Sequence, residues 1–140
     1  MSERLLWQKF RAALGGKAHL QRIESFTAAG IPDVEYCCDG ESGWIELKYG
    51  KMPAKGGTAV FKSQRGLAPA QVEWLVCRRR NGGRSWILVG IEDNLFLVDG
   101  LKAPSFNSWT MHEFAHNAVW LNTGAMGVRE WGELLAELCM

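Results

Sequence analysis

Two stretches of the chain have the composition of buried β-strands and yet carry charged side chains: residues 33–38 (DVEYCC) and residues 43–49 (GWIELKY). A carboxylate buried without a partner costs several kcal/mol, so a buried Glu46 or Lys48 needs a polar partner or a metal ion. Because successive side chains of a strand point to opposite faces, Trp44, Glu46 and Lys48 share one face. The pattern therefore predicts a polar site on one face of a sheet.

The segment between these strands, residues 39–42 (DGES), has the turn chemistry of a four-residue hairpin loop. With such a loop, the antiparallel register places Asp33 opposite Lys48. Glu35 then lies opposite Glu46, and Asp33 and Glu46 are diagonal neighbours on one face. Two carboxylates and an ammonium group are thus expected close together.

This combination of groups suits a divalent cation that prefers oxygen ligands. We expect Asp33 and Glu46 to bind Mg²⁺ or Mn²⁺, with the carbonyl of Leu47 as a third ligand. Such an ion polarises a phosphodiester and lowers the pKa of a bound water, while Lys48 orients that water or offsets charge on the pentavalent transition state. The predicted reaction is cleavage of a DNA strand.

Charge is distributed unevenly along the chain, although its net value is only +1 at pH 7. Residues 48–84 carry nine basic residues against one acidic residue. Such a segment indicates a basic surface whose commonest partner is a phosphate backbone; the alternative is a solvated basic face without a partner. The predicted DNA contacts directly follow the second strand and are Lys51, Lys55, Lys62 and Arg65.

Hydrophobic periodicity and turn residues predict an α-β-β-β-α-β-β order. Besides the two strands above, the expected elements are a helix over 3–14, a strand over 19–26, a glycine-rich mobile loop over 50–68, a helix over 69–80, a buried strand over 86–91 and a short edge strand over 95–98. Arg78, Arg79 and Arg80 end the second helix, where cations also stabilise its dipole, so they are weaker candidates for DNA contacts.

Length and composition indicate one globular domain over 1–140, because 47% of residues are apolar and 22% charged. The sequence predicts neither a signal segment nor a membrane span, and a cytoplasmic location is expected. The four cysteines include no C-x-x-C pair and are expected to be reduced, buried thiols.

Residues 30–33 (GIPD), followed after twelve residues by ELK at 46–48, resemble the PD-(D/E)XK nuclease signature. Residues 69–75 (PAQVEWL), with the glycine pair and apolar strand after them, are similar to virus-type replication-repair (VRR-NUC) nucleases and to phage endonuclease I-like junction resolvases. The resemblance implies an α/β restriction-endonuclease-like core over about 1–98, with a central mixed sheet of about four to five strands flanked by helices. Residues 99–140 are then a C-terminal extension of that core.

The same resemblance implies a function and further site residues. It makes Asp33, Glu46 and Lys48 catalytic in a Mg²⁺-dependent endonuclease that acts on branched DNA, such as Holliday junctions, in phage replication, recombination or repair. It also implies that Gln71 hydrogen-bonds a substrate phosphate or the attacking water; the alternative is an ordinary polar helix residue.

Three glutamates are further candidates for the site. A helix-borne glutamate completes the metal site in the resolvase pattern, which favours Glu3 over Glu24. Glu24 is otherwise a solvent-facing strand residue. Glu35 shares the site face by strand alternation and is a candidate base, unless a β-bulge near Asp33 turns it away.

Two other functions compete with a nuclease. Residues 112–116 (HEFAH) match H-E-x-x-H, in which His112 and His116 would bind zinc and the glutamate would activate water in a peptidase. The alternative is a short helix with an apolar side. A non-catalytic DNA-binding module with a degenerate nuclease fold is the other possibility.

Small resolvases are usually two-fold dimers, so a homodimer is expected. Apolar residues of the tail would supply the interface or, alternatively, pack on their own core: Trp109, Phe114, Trp120, Leu121, Trp131, Leu134, Leu135 and Leu138.

Overall fold

The computed structural model describes residues 2–24 and 29–140. In chain order its elements are α1 (Glu3–Leu14), β1 (His19–Arg22), β2 (Val34–Cys38), β3 (Glu41–Gly50), α2 (Pro69–Arg80), β4 (Ser85–Ile91), β5 (Asn94–Asp99), a 3-10 turn (Gly100–Lys102), α3 (Ala103–Phe106), α4 (Met111–Asn117), β6 (Trp120–Thr123) and α5 (Val128–Cys139). Both predicted helices are confirmed at their predicted boundaries. The strand predicted over 19–26 is shorter, and Phe26 lies outside the described residues.

The six strands form one mixed sheet in sequence order, β1-β2-β3-β4-β5-β6. The β3–β4 pair is parallel, with α2 in the crossover between these strands, and the other neighbours are antiparallel. The predicted α/β class is confirmed, with one strand more than the four to five expected. β5 was predicted as an edge strand, which is wrong because β6 pairs with its outer side.

The β2–β3 hairpin turns over two residues rather than the four predicted. Asp39 and Gly40 have φ angles of 50° and 79°, and Cys38 pairs with Glu41. Positive φ at both central residues is the turn geometry that an Asp-Gly pair favours. The predicted register is therefore wrong by two residues, and Glu35 lies opposite Trp44. Because the shift is even, every side chain keeps its predicted face.

Helices and loops cover the sheet on both faces and bury two apolar clusters. One joins α1 and α5 to the face that carries Ile45 and Leu47. The other lies beneath α2, α3, α4 and part of the loop after β3, on the face that carries Ile87 and Val89. Those two residues pair with Glu46 and Lys48, so the charged residues of β3 lie on the α2 side. Within the described residues, no helix has the length and apolar character needed to cross a bilayer.

The C-terminal tail contributes to both clusters. Trp109, Phe114, Leu134 and Leu138 are buried within the chain itself. Trp120, Trp131 and Leu135 are partly buried against the first cluster. Leu121, on the outer strand β6, is instead 44% exposed.

The prediction for the cysteines is wrong. Cys38 and Cys139 form a disulfide with their Cα atoms 5.7 Å apart. They meet because the end of α5 packs on the face of β2 that carries Cys38, a proximity that a separation of 101 residues hides in the sequence. Cys37 and Cys77 are free thiols, but they are exposed rather than buried.

The loop between β3 and α2 is held to the fold by specific contacts. Val60 and Phe61 are buried in the second cluster. Gln64 accepts a hydrogen bond from the Lys51 N–H at 3.0 Å and donates to the Lys51 carbonyl at 2.8 Å. Residues 51–68 form a loop without helix or strand, as predicted. These contacts anchor it to the fold, in contrast to the mobile loop that was expected.

Candidate metal centre

Glu46 is the buried acid at the middle of β3, only 2% exposed. Its Oε2 accepts a hydrogen bond from Gln71 Nε2 at 2.8 Å and lies 3.4 Å from Lys48 Nζ. Lys48 is itself 3% exposed. The other carboxylate oxygen of Glu46, Oε1, is buried and has no hydrogen-bond partner among the described residues. An unsatisfied buried carboxylate oxygen is costly, and a cation would satisfy it.

Burial also changes the ionisation of this carboxyl group. The pKa of Glu46 is raised from 4.5 to about 8, mainly by desolvation and also by the negative charge of Asp33, while Lys48 opposes the rise. Without a cation, the protonated form of Glu46 is therefore favoured at neutral pH. A metal ion would replace that proton.

Asp33 lies directly before β2, and its side chain is 25% exposed. Its Oδ2 accepts a hydrogen bond from the Leu47 N–H at 2.8 Å, and its Oδ1 lies 3.9 Å from Arg22 Nη2. The N–H and C=O groups of a strand residue point to the same side. The Leu47 carbonyl therefore points towards Asp33, beyond the last β2–β3 pair, which joins Val34 to Ile45.

Gly30 brings the first turn of α2 close to these acids. It has a φ angle of 85°, and a Cβ atom there would lie 2.3 Å from the Ala70 carbonyl oxygen. Only glycine accepts both constraints at low cost. The resemblance includes this glycine, but its packing role was not predicted.

The amide of Gln71 is held from both ends. Its Oε1 accepts from the Ala68 N–H at 2.9 Å, which leaves Nε2 to donate to Glu46. The backbone at the start of α2 thus sets the direction in which Gln71 faces the acid.

Arg22, beside Asp33, also contacts α1. Its guanidinium carbon lies 5.7 Å from the centre of the Trp7 ring. Glu3 lies one turn before Trp7 on the same side of α1 and is partly exposed. The helix proposed to bear the third carboxylate is therefore linked to Asp33 through Trp7 and Arg22.

The third carboxylate itself is not identified by geometry. Glu24 is exposed after β1, and Glu35 is half-buried on β2. Across residues 2–24 and 29–140, no three His, Cys, Asp or Glu side chains lie close enough to hold a metal ion together. The residues brought into contact are Asp33, Glu46, Leu47, Lys48 and Gln71.

The predicted DNA contacts lie on the loop after the strand of the site. Lys51, Lys55, Lys62 and Arg65 are all exposed. A separate cavity of about 780 Å³ lies between α1, the β4–β5 turn and the segment before α5. It is not lined by Asp33, Glu46, Lys48 or Gln71.

The H-E-x-x-H motif has a structural explanation. Glu113 accepts hydrogen bonds from Thr110 N–H at 3.1 Å and Thr110 Oγ1 at 3.2 Å, and its own N–H donates to Thr110 Oγ1 at 3.3 Å. This capping box begins α4. His112 and His116 are exposed, and they are not part of any three-residue metal group in the described chain. The glutamate of the motif is thus accounted for by its place in the N-terminal cap of α4.

Comparison with solved structures identifies the fold. The chain is similar to a Holliday junction resolvase from the archaeal hyperthermophile Archaeoglobus fulgidus, with a TM-score of 0.51 and 15% identity over 69% of this chain and 76% of that one. This shared fold agrees with the PD-(D/E)XK resemblance of the sequence. A VRR-NUC domain is also similar, with a TM-score of 0.46 and 16% identity over 65% of this chain and 87% of that one.

No protein-family model matches the sequence, and no curated protein matches it. The predicted restriction-endonuclease-like architecture is confirmed. Glu46 and Lys48, two residues of the sequence signature, form the buried ion pair of β3, and the third, Asp33, bonds the backbone of Leu47 between them.

Proposed function

We propose that the chain is a metal-dependent DNA endonuclease that hydrolyses phosphodiester bonds, with a preference for branched DNA. The observation that carries this proposal is Glu46, an almost fully buried acid that leaves one oxygen without a partner among the described residues. Asp33 contributes to the rise of its pKa. At a pH where Glu46 is ionised, a buried carboxylate with an unpartnered oxygen is costly unless a cation satisfies it.

The oxygen atoms at the site fit Mg²⁺ or Mn²⁺, which are hard cations. Asp33, Glu46 and the Leu47 carbonyl would hold the ion, with Glu3 as the proposed further carboxylate. When bound, such an ion supplies positive charge that polarises a phosphodiester and lowers the pKa of a water molecule. No sulfur or imidazole group lies in the contact network of Asp33 and Glu46 among the described residues.

The chain's own groups would supply the remaining chemistry. Lys48, held 3.4 Å from Glu46, donates hydrogen bonds to the attacking water or to a phosphate oxygen that gains charge. Gln71 keeps Glu46 in one orientation and would hydrogen-bond the same phosphate or the attacking water. Hydrolysis forms a P–O bond to water and breaks the P–O bond to a sugar oxygen.

The anchored loop would hold the DNA backbone. Lys51, Lys55, Lys62 and Arg65 extend from the end of β3, so phosphates that flank the scissile bond lie within reach. Their charges give affinity without sequence preference, which suits an enzyme that recognises the shape of DNA.

A two-fold dimer is part of the proposal, because a symmetric junction has two strands to cut. Four of the tail residues considered for the interface are buried in their own chain and do not supply it. Val119 and Leu121, next to and on the outer strand β6, are exposed apolar residues at that edge of the sheet. Light scattering across a concentration series would reveal the oligomeric state. A role in replication, recombination or repair follows from the proposed substrate.

The deciding experiment compares labelled four-way junction, flap, duplex and single-stranded DNA in Mg²⁺ and in Mn²⁺, with Glu46→Ala as the control. We expect wild-type protein to cut branched DNA fastest and Glu46→Ala to cut none. Equal cutting of junction and duplex would contradict the preference for branched DNA but not the nuclease activity. DNA binding without cleavage of any form would support a non-catalytic module instead.

A further inference from the structure

Two tryptophans and an arginine lie beside the candidate metal centre; we name Trp44, Trp74 and Arg78 the tryptophan platform. Trp44 precedes Glu46 by two residues on β3 and shares its face. Trp74 follows Gln71 by three residues on α2 and lies on the same side of the helix. The two rings meet edge to face with their centres 5.2 Å apart. The platform therefore lies beside the Glu46–Gln71 pair, further along the sheet in one direction.

Arg78 is held over both rings. Its guanidinium carbon lies 4.5 Å from the centre of Trp74 and 5.5 Å from that of Trp44. The backbone at Gly83 packs against the same side chain, because a Cβ atom there would lie 2.4 Å from Arg78 Cδ. Arg78 is nevertheless exposed, and it forms no ion pair within the described part of the chain. A fixed cation is thus presented to solvent without a counter-charge.

The neighbouring residue, Arg79, forms an ion pair within the fold, whereas Arg78 does not. Arg79 forms an ion pair of 3.0 Å with Asp99, donates to the Ser85 carbonyl at 3.1 Å and lies over the Trp86 ring at 4.3 Å. These contacts pair the charge of Arg79 within the fold. Arg78, one position earlier, packs on the two rings but has no acidic partner among the described residues.

An open sheet face borders the platform on the side away from α2. Glu35 pairs with Trp44 across β2–β3, and Gln21 pairs with Glu35 across β1–β2, so the three share a face. Gln21 is exposed, and Glu35 is half-buried. The opposite face of these strands packs against α1 and α5. A flat ligand can therefore approach the platform from this side.

We propose that the tryptophan platform stacks an unpaired base of a DNA substrate whose backbone lies at the metal centre. Aromatic rings and guanidinium planes are the surfaces on which proteins stack unpaired bases, and the free charge of Arg78 favours a nucleic acid. A base inside a duplex presents no free face. This inference rests on the proposed nuclease function and, among branched DNA forms, favours those with unpaired nucleotides next to the scissile bond.

The test uses flap DNA with 2-aminopurine at the unpaired position nearest the branch, and binding is measured in EDTA so that no cleavage is needed. For wild-type protein we expect quenching of 2-aminopurine fluorescence by stacking. Trp74→Ala should lose the quenching and bind the flap about tenfold more weakly. Trp74→Phe should retain most of the quenching and of the flap affinity. Arg78→Gln, at an exposed position, should weaken the quenching and the affinity.

Cys77→Ser is the matched control, since Cys77 is an exposed, uncharged position on the same helix. It should bind as wild type does, and thermal unfolding of each variant checks the fold. Equal losses of affinity for flap and for fully paired duplex would overturn the platform, as would unchanged quenching in both Trp74→Ala and Arg78→Gln.

The two proposals fail separately. Quenching by a wild-type protein that cuts no DNA in Mg²⁺ or Mn²⁺ would support the platform and overturn the nuclease. Metal-dependent cutting without quenching would overturn the platform alone.

Discussion

Gln71 bridges the start of α2 and the buried acid of β3. Its Nε2 donates a hydrogen bond of 2.8 Å to Glu46 Oε2, and its Oε1 accepts one of 2.9 Å from the Ala68 N–H. The second bond fixes the amide so that a donor, rather than an acceptor, faces the carboxyl group. The position of the helix and the orientation of the proposed metal ligand are therefore coupled.

Replacing Gln71 should test this coupling. In Gln71→Ala, Glu46 loses one partner of Oε2, so we expect the free energy of unfolding to fall by about 1–3 kcal/mol. DNA cleavage should fall by about tenfold or more, because an ill-positioned ligand group weakens catalysis. Denaturant unfolding and initial rates on labelled DNA measure the two effects. The control is Gln8→Ala, at an exposed glutamine of α1. Cleavage at the wild-type rate in Gln71→Ala would contradict a role for this contact.

Lys48 should matter for catalysis more than for DNA affinity. Lys48→Met keeps a long side chain in a buried position but removes the ammonium group, so we expect cleavage to fall by about 10²–10³-fold. Binding in EDTA should change little, because the lysines on the loop supply the backbone contacts. Lys51→Met removes an equal charge from the exposed loop nearby and should reduce affinity instead. Loss of binding in Lys48→Met, with normal turnover of the bound DNA, would reverse these roles.

The raised pKa of Glu46 makes stability depend on pH in metal-free protein. Its folded pKa of about 8 lies above the ordinary 4.5, so the folded state binds the proton more tightly than the unfolded state. This contribution is complete below pH 4.5 and is lost as the pH rises to about 8. It amounts to a few kcal/mol, since one pKa unit corresponds to about 1.4 kcal/mol.

Unfolding of wild type and Glu46→Gln in EDTA across this range would measure the effect. Gln resembles the protonated acid but does not titrate, so the variant should gain stability relative to wild type as the pH rises. Parallel stability curves for the two proteins would show that Glu46 titrates normally.

Gly30 should be intolerant of a side chain. Gly30→Ala combines a positive φ of 85° with a contact of 2.3 Å to the Ala70 carbonyl oxygen, so we expect a loss of about 1–3 kcal/mol in the free energy of unfolding. Gly132→Ala, in α5 with no atom within 4 Å of the added Cβ, should instead gain about 0.5–1 kcal/mol. A neutral Gly30→Ala would mean that α2 shifts freely relative to the metal centre.

Local sequence features were enough to predict α1, α2 and the face of each charged residue in β3, whereas the bounds of the tail helices were not predicted. Strand alternation and the spacing of Asp33, Glu46 and Lys48 identified the residues that meet at the site. The error in the hairpin register was two residues, an even number, so it preserved the alternation and left the predicted faces unchanged.

Other features depend on contacts between distant segments, which local patterns do not encode. β6 has only four residues and becomes a strand by pairing with β5. Cys38 meets Cys139 because α5 packs across β2. The contacts of Gly30 and Arg78 depend on the placement of α2. Whether Glu3 is the third carboxylate depends on the position of α1 relative to Asp33.

The central claim is that Asp33 and Glu46 form a metal centre, and Mn²⁺ binding followed by electron paramagnetic resonance tests it most directly. The variants are Asp33→Asn and Glu46→Gln, with Glu73→Gln as the control at an exposed acid of α2. We expect wild type and Glu73→Gln to bind Mn²⁺ alike, and each site variant to lose at least about tenfold in affinity. Equal Mn²⁺ binding by all four proteins would contradict the claim.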